Sequence, residues 1–245
     1  MFTSVLAFES KRMLRNIPSI FFGVLLPTIL LVIFAGPYGN EPAEVFAGAG
    51  SVDIAVPRYA GLVLACAGMV SFLIGLVDYR AKGFLPHLRL APGQPKYFMR
   101  AQVLVNGVVG LAGLLLLIGW GAIAYDLHAP AHPVAFAGIV ALAGAAMFAI
   151  GMFFAAVLRH DGLAILVANV LHLVMIFWSG AAIPTEFMPD SAHKLGELLP
   201  LTYAVRAMEW AWLDRGGDAL GADLGVLVGT VVVCGAVSIW RYRWK

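Results

Sequence analysis

Residues 134–158 read VAFAGIVALAGAAMFAIGMFFAAVL, twenty-five positions without one charged, amide, hydroxyl or imidazole side chain. A run longer than about 18 apolar residues is long enough to cross the hydrocarbon of a bilayer as a helix. This one is apolar on every face, so it has no polar stripe to turn toward water. Arg159 and His160 close it at one end, His132 and Pro133 at the other.

Working outward, five more apolar stretches follow the same template, at 17–37, 59–77, 103–125, 163–183 and 224–240. Of the 245 residues 61% are hydrophobic and 12% charged, with mean hydropathy +0.89. Soluble domains carry about 25% charged residues. A water-soluble globule or a disordered chain is therefore excluded. The expectation is an all-α integral membrane protein of six transmembrane helices, with 1–245 forming a single transmembrane domain. The pieces between spans are too short for a cytosolic catalytic domain. The first stretch is preceded by sixteen residues that include Glu9, so a retained span is expected there rather than a signal peptide.

Charge sets the orientation. Twelve of the sixteen Lys and Arg fall in the N-terminal segment, the loop after the second span, the turn after the fourth and the C-terminus. Arg58, Lys194, Arg206 and Arg215 lie on the other side. Positive residues stay inside, which puts both termini in the cytoplasm and the chain in the cell inner (plasma) membrane. Eleven of the fourteen acids lie on the outer side.

The span interiors lack the groups that most membrane chemistry requires. No Asp, Glu, Lys or Arg occupies the middle of any span, which argues against ion-coupled transport. No H-E-x-x-H metalloprotease motif is present, and no G-x-x-x-x-G-K-[ST] loop to hold ATP phosphates. The four-residue spacing of His128 and His132 resembles a ligand pair, but Pro130 and Pro133 interrupt any helix between them. Cys66 and Cys234 lie apart within apolar stretches as weakly polar filler. The polar exceptions are Asn106 in the third span and Asn169, His172 and Ser179 in the fifth. Asn169 and His172 share a helix face, serving either interhelical hydrogen bonding or a polar spot on a substrate path. Gly107–Gly110–Gly113 and Gly138–Ala141–Ala145 read as close-packing faces. No enzyme activity and no nucleic-acid partner are expected.

Three segments outside the spans carry more pattern than a tether needs. Residues 1–16 place Phe2, Val5, Leu6 and Met13 on one arc and Lys11, Arg12 and Arg15 opposite. That is an amphipathic helix lying in the inner interface, with Glu9 in the apolar arc tolerated if it pairs with Arg12. The cytoplasmic loop 78–102 mixes five cations with Phe84, Leu85, Leu88 and Leu90 between Gly83 and Pro92, which suits docking into a groove on a cytosolic partner. Residues 184–220 are rich in proline and acid around an apolar helix, 201–213, and read as an extracellular re-entrant or interfacial hairpin between spans five and six. Tyr203, Trp210 and Trp212 suit the headgroup level there, and Arg206 can pair with Glu209 at i,i+3.

Taken in order, these features resemble the permease subunits of type-2 ATP-binding-cassette exporters, the daunorubicin-exporter-like small permeases. The resemblance rests on Arg15 and Pro18 before a span containing Pro27, on GFLPHLRLAP in the inner loop, and on SGAAIPTEFMP followed by LLPLTYAVRAM. It covers essentially the whole chain. Pro86 departs from the more regular helix that the family often has in this loop.

The resemblance implies a pair of permeases, the same or different, above two cytosolic P-loop ATPases that carry the ATP and Mg; no cofactor is implied on this chain. Gly83, Phe84, Leu85, Leu88, Arg89, Pro92, Arg12 and Arg15 would couple to the ATPase. The first and fifth spans would border the path, with Pro27, Asn169, His172 and Ser179 as its candidate residues. Pro184, Met188, Pro189, Pro200 and Tyr203 would form the extracellular lid. The implied cargo is an amphipathic drug or lipid-like molecule. The rival expectation is a structural or accessory membrane protein that anchors a larger complex and has no path of its own.

Overall fold

The computed structural model describes residues 2–42, 48–81, 94–158, 160–181 and 194–241. These form helices α1 (Phe2–Leu14), α2 (Ile17–Tyr38), α3 (Ser51–Tyr79), α4 (Gln94–Tyr125), α5 (Pro133–Val157), α6 (Asp161–Trp178), α7 (Pro200–Leu213) and α8 (Leu220–Arg241). Among the described residues five helical segments are long and apolar enough to cross a membrane: α2, α3, Tyr97–Tyr125 of α4, α5 and Gly217–Arg241. The fifth expected span is a shorter apolar helix. Its helical run stops at Ser179, and Gly180 takes a left-handed φ of 82°. An 18-residue helix covers about 27 Å, slightly less than a hydrocarbon core of about 30 Å.

Local sequence explains the helix starts. Proline stands in the first turn of α5 and α7, where its missing N–H removes a donor that has no helical partner anyway. Asn16 Oδ1 accepts from the Ser19 N–H at 3.4 Å and caps α2 immediately after α1 ends. Pro27 sits between two π-helical turns of α2, Phe21–Leu25 and Leu31–Ala35, and a third π-helical stretch, Cys66–Ser71, interrupts α3.

The central element is α3, buried along most of its length. It begins at Ser51, two turns earlier than hydropathy indicates. Hydropathy reads Asp53 and Arg58 as loop charges, but both are satisfied inside the fold. Asp53 binds the Asn40 amide at 3.1 Å and the His128 ring at 2.8 Å, and Arg58 pairs with Glu209.

Around α3 the helices approach closely at glycine. A Cβ on Gly151 would stand 2.3 Å from the Gly68 carbonyl oxygen, so α5 crosses α3 backbone against backbone. Gly113 of α4 meets the Gly23 carbonyl of α2 in the same way, at 2.4 Å, and Gly110 faces Ala67. The expected face Gly107–Gly110–Gly113 is therefore in use, apart from Gly107, which has open space. The face Gly138–Ala141–Ala145 does not pack: it points outward, and α5 turns Ala143, Gly144, Ala146, Met147 and Gly151 inward instead. Small residues occur all round α5, so composition alone does not choose its face.

The two ends of the bundle differ. At one end α1 lies against α4 and the last turn of α3, over a small core of Phe72, Leu76, Val77, Phe98, Ala164 and Ala168. At the other, α7 packs across α3, α5 and α8. Its contacts replace two expectations. Arg206 pairs with Asp223 of α8, and Glu209 pairs with Arg58 rather than with its neighbour one turn away. Trp212 is 4% exposed and set edge-on to Phe136 at 4.9 Å, so it is a core residue rather than a headgroup anchor.

Candidate functional site

α2, α3 and α6 enclose a cavity of about 1000 Å³. Its lining is mixed along its length. Asn16, Ser19 and Ser71 border it toward the α1 end beside Phe22, Val70 and Ile74; Leu30, Phe34, Leu62 and Ile176 border it toward the α7 end beside Tyr59. Between them Cys66 Sγ lies 3.3 Å from His172 Nε2, with Asn169 one turn away on α6. Among the described residues no carboxylate, lysine or arginine lines this space. The wall can hold an apolar molecule and offer it a few neutral hydrogen-bonding groups, but no countercharge.

The expected path residues divide. Asn169 and His172 both line the cavity. Asn169 donates to Ile165 O of its own helix at 2.8 Å, so its hydrogen bond is not interhelical, whereas His172 does reach across to α3. Pro27 is buried against the rest of the bundle and does not reach the wall. Ser179 is buried beyond the end of α6, where its hydroxyl accepts from the Ala181 N–H at 3.3 Å. Pro27 departs by helix phase, since a residue within a lining span faces the cavity only on one arc, and Ser179 departs because it follows the last turn of α6, ahead of left-handed Gly180.

Other expected residues fall at the two ends. Arg12 turns inward, 3.3 Å from Glu9 and 3.7 Å from Asp78, while Arg15 is exposed. Pro200 opens α7, and the Tyr203 hydroxyl donates to Glu197 O at 2.5 Å with the Arg206 guanidinium over its ring. Gly83, Phe84, Leu85, Leu88, Arg89 and Pro92, and likewise Pro184, Met188 and Pro189, lie outside the described residues. Helical structure runs past the end of α3 to Ala81 and α4 begins at Gln94, so the stretch between them is shorter than the expected 78–102. His128 and His132 turn to different acids, Asp53 and Asp214, and among the described residues no group of three potential metal ligands forms.

Sequence reading missed Cys66 and Ser71 as wall residues. Their signal is the π-helical stretch that contains them, a widened turn of a kind frequent at functional sites. Gly68 within it marks the crossing with α5.

Among the described residues the helices thus form a bundle with an apolar cavity between α2, α3 and α6. The chain belongs to the ABC-2 type transporter family, whose model matches residues 2–212. It is 23% identical over 221 residues to the Bacillus subtilis (strain 168) protein named "Putative transport permease YvfS", across 90% of this chain and 88% of that one. It is 24% identical over 210 residues to "Putative transport permease ycf38" of Porphyra purpurea, across 81% of this chain and 69% of that one. A shorter match, 30% over 89 residues, joins it to Nodulation protein J of Sinorhizobium fredii, across 36% of this chain and 34% of that one. It is thus the membrane subunit of a transporter.

Proposed function

We propose that the chain is the transmembrane subunit of an ATP-driven exporter that moves an amphipathic drug or lipid-like molecule outward. The observation that carries this reading is the cavity, whose wall is mostly hydrocarbon with the Cys66–His172 contact and a few other neutral polar groups set into it. A charged ion would find no counterion there, whereas an uncharged amphipathic molecule matches such a wall.

The chain has no phosphate-binding loop of its own. Membership of this family implies an ATP-binding-cassette ATPase as partner. In this reading two such ATPases close on ATP beneath a pair of permeases, the same or different. Their closure acts on the loop with Leu88 and Arg89, and the spans rock from inward- to outward-facing. Both termini lie in the cytoplasm of an inner (plasma) membrane protein, as the distribution of Lys and Arg supports. Segment 184–220, with α7 in its second half, then closes the outer side. Phe22 and Phe34 on α2 and Leu173 on α6 line the cavity and are also exposed, and a second permease would cover them there.

The test is mild-detergent purification of the tagged protein from its own host, with mass spectrometry of the proteins it retains. A near-stoichiometric P-loop ATPase is expected. Its reproducible absence from an intact, folded permease would favour the accessory-anchor reading.

A further inference from the structure

At the α7 end, the loop 126–132 joins α4 to α5 and is fastened at two places. Near its start, the buried Asp53 carboxylate in the first turn of α3 accepts from the His128 N–H at 3.0 Å and from His128 Nδ1 at 2.8 Å. Asn40 completes that corner. Its amide donates to Asp53 at 3.1 Å and to Asp126 O at 3.2 Å, and its Oδ1 accepts from the Asp53 N–H at 3.0 Å. At the loop's other end, His132 Nε2 donates to Oδ1 of Asp214, just beyond α7, at 3.0 Å, and its ring stacks on Trp210 at 4.9 Å. The Ala131 and His132 N–H groups donate to the Trp212 and Ala211 carbonyls beside it.

The backbone is unusual at the same two places. Among the described residues the non-glycine positions with left-handed φ are Asp126, at 51°, and Asp214, at 55°. Aspartate tolerates that region better than most residues, but the conformation is sparsely populated and its surroundings must hold it. Asp126 opens the loop, and Asp214 supplies its second anchor.

Amide or hydroxyl groups would serve a clasp that holds equally at every pH. Here each carboxylate meets an imidazole, and the His128 and His132 side chains are 70% and 42% exposed, so water reaches both rings. Histidine is the side chain whose ordinary change of charge falls between about pH 5 and 8. A neutral ring offers its carboxylate one hydrogen bond. An imidazolium adds charge attraction, and at His132 a cation–π contact with Trp210 as well. The fastening is therefore strongest below that range and weakens as pH rises through it. The other charges of α3, α7 and α8 at this end are engaged with one another, Arg58 with Glu209 and Arg206 with Asp223. Glu41, Asp126, Arg215 and Asp218 adjoin the anchors in sequence, and such groups ordinarily keep their charge across the histidine range. We infer that the loop 126–132 is a proton-sensitive strap: protonated His128 and His132 fasten it to Asp53 and Asp214 and so tie the start of α3 to the end of α7. Tyr59, Leu62 and Cys66 of α3 belong to the cavity wall, so the strap sets how firmly that part of the wall is held. The inference does not rest on the exporter reading.

The test is backbone hydrogen exchange of the full permease in lipid nanodiscs at about pH 5.5 and about pH 8, on either side of the histidine range. Each amide's rate is divided by its intrinsic chemical rate at that pH. The amides at 128, 131 and 132 report the fastening, and those of Val63 and Leu64 within α3 serve as reference. Protection at the three reporters is expected to be severalfold greater at the lower pH, with the references unchanged. In the double variant His128→Gln, His132→Gln, which keeps a neutral donor at both places, the difference between the two pH values should disappear. Asp214→Asn should remove it at 131 and 132 and leave it at 128. Equal protection at both pH values in the parent overturns the inference, and so does a pH difference that survives in the double variant. A double variant that fails to fold also overturns it, because the two rings are then structural.

Discussion

The Cys66 thiol and the His172 imidazole meet at 3.3 Å and join α3 to α6 across the wall of the cavity. They are 106 residues apart in sequence. Both are polar groups in otherwise apolar spans, and they find each other in the wall of the cavity. Interhelical hydrogen bonds in membranes average about 0.6 kcal/mol, so this contact shapes the wall more than it holds the fold.

His172→Ala should accordingly leave the protein folded, with a melting temperature within a few degrees of the parent. In the exporter reading, ATP-dependent efflux of a fluorescent hydrophobic dye should fall several-fold, because the wall loses one of its few polar groups. A large fall in melting temperature with efflux preserved would place the pair in the scaffold instead.

Gly151→Val is expected to be far more damaging. The backbone of α5 rests on the Gly68 carbonyl, and any Cβ at position 151 meets that oxygen at 2.3 Å. Overpacking typically costs about 1–3 kcal/mol, and here backbone rather than a flexible side chain stands in the way. The expected result on fluorescence-detected gel filtration is loss of the monodisperse peak. Gly107→Val, which meets open space within the chain, serves as the tolerated control.

Arg58 and Glu209 pair across 151 residues of sequence, with side chains only 11% and 22% exposed. Removing one partner of a buried pair leaves an uncompensated charge, which costs about 3–5 kcal/mol when burial is complete. Partial exposure lowers this to on the order of 3 kcal/mol. Arg58→Ala should therefore destabilise markedly, and Arg58→Glu with Glu209→Arg should recover part of the loss in thermal unfolding. An exchange no better than either single charge reversal would argue that the pair is incidental.

Trp212→Ala opens a hole between α7 and α5, beside Phe136. Truncating a buried aromatic costs about 3–5 kcal/mol. The Ala131 and His132 N–H groups also donate to the Trp212 and Ala211 carbonyls, at 3.0 and 2.9 Å, so the loop before α5 should loosen with it. Faster backbone hydrogen exchange at 126–133 is the measurement.

Leu88→Ala with Arg89→Glu tests the coupling loop directly. In the exporter reading this pair should reduce dye efflux per ATP hydrolysed by the assembled complex. Unchanged efflux would remove the loop from the coupling route.

The sequence by itself determined that this chain lies in a membrane, where most of its helices run, and that its loops carry an amphipathic N-terminal helix. These follow from apolar run length and from the arc of Phe2, Val5, Leu6 and Met13 opposite Lys11, Arg12 and Arg15, both local properties that a reader can see along the chain. It also marked Asn169 and His172, because polar residues in apolar spans are conspicuous. What it did not reach were contacts across long stretches of chain. Hydropathy started α3 late, since Arg58 looks like a loop charge until Glu209 is beside it. It chose the wrong face of α5 because small residues surround that helix, and only the crossing with Gly68 makes one side matter. It does not show which residues line the cavity: helix phase and the turn at Gly180 keep Pro27 and Ser179 out of that lining. The cavity itself depends on how α2, α3 and α6 lean on one another, and that was decided only when packing brought Cys66 to His172.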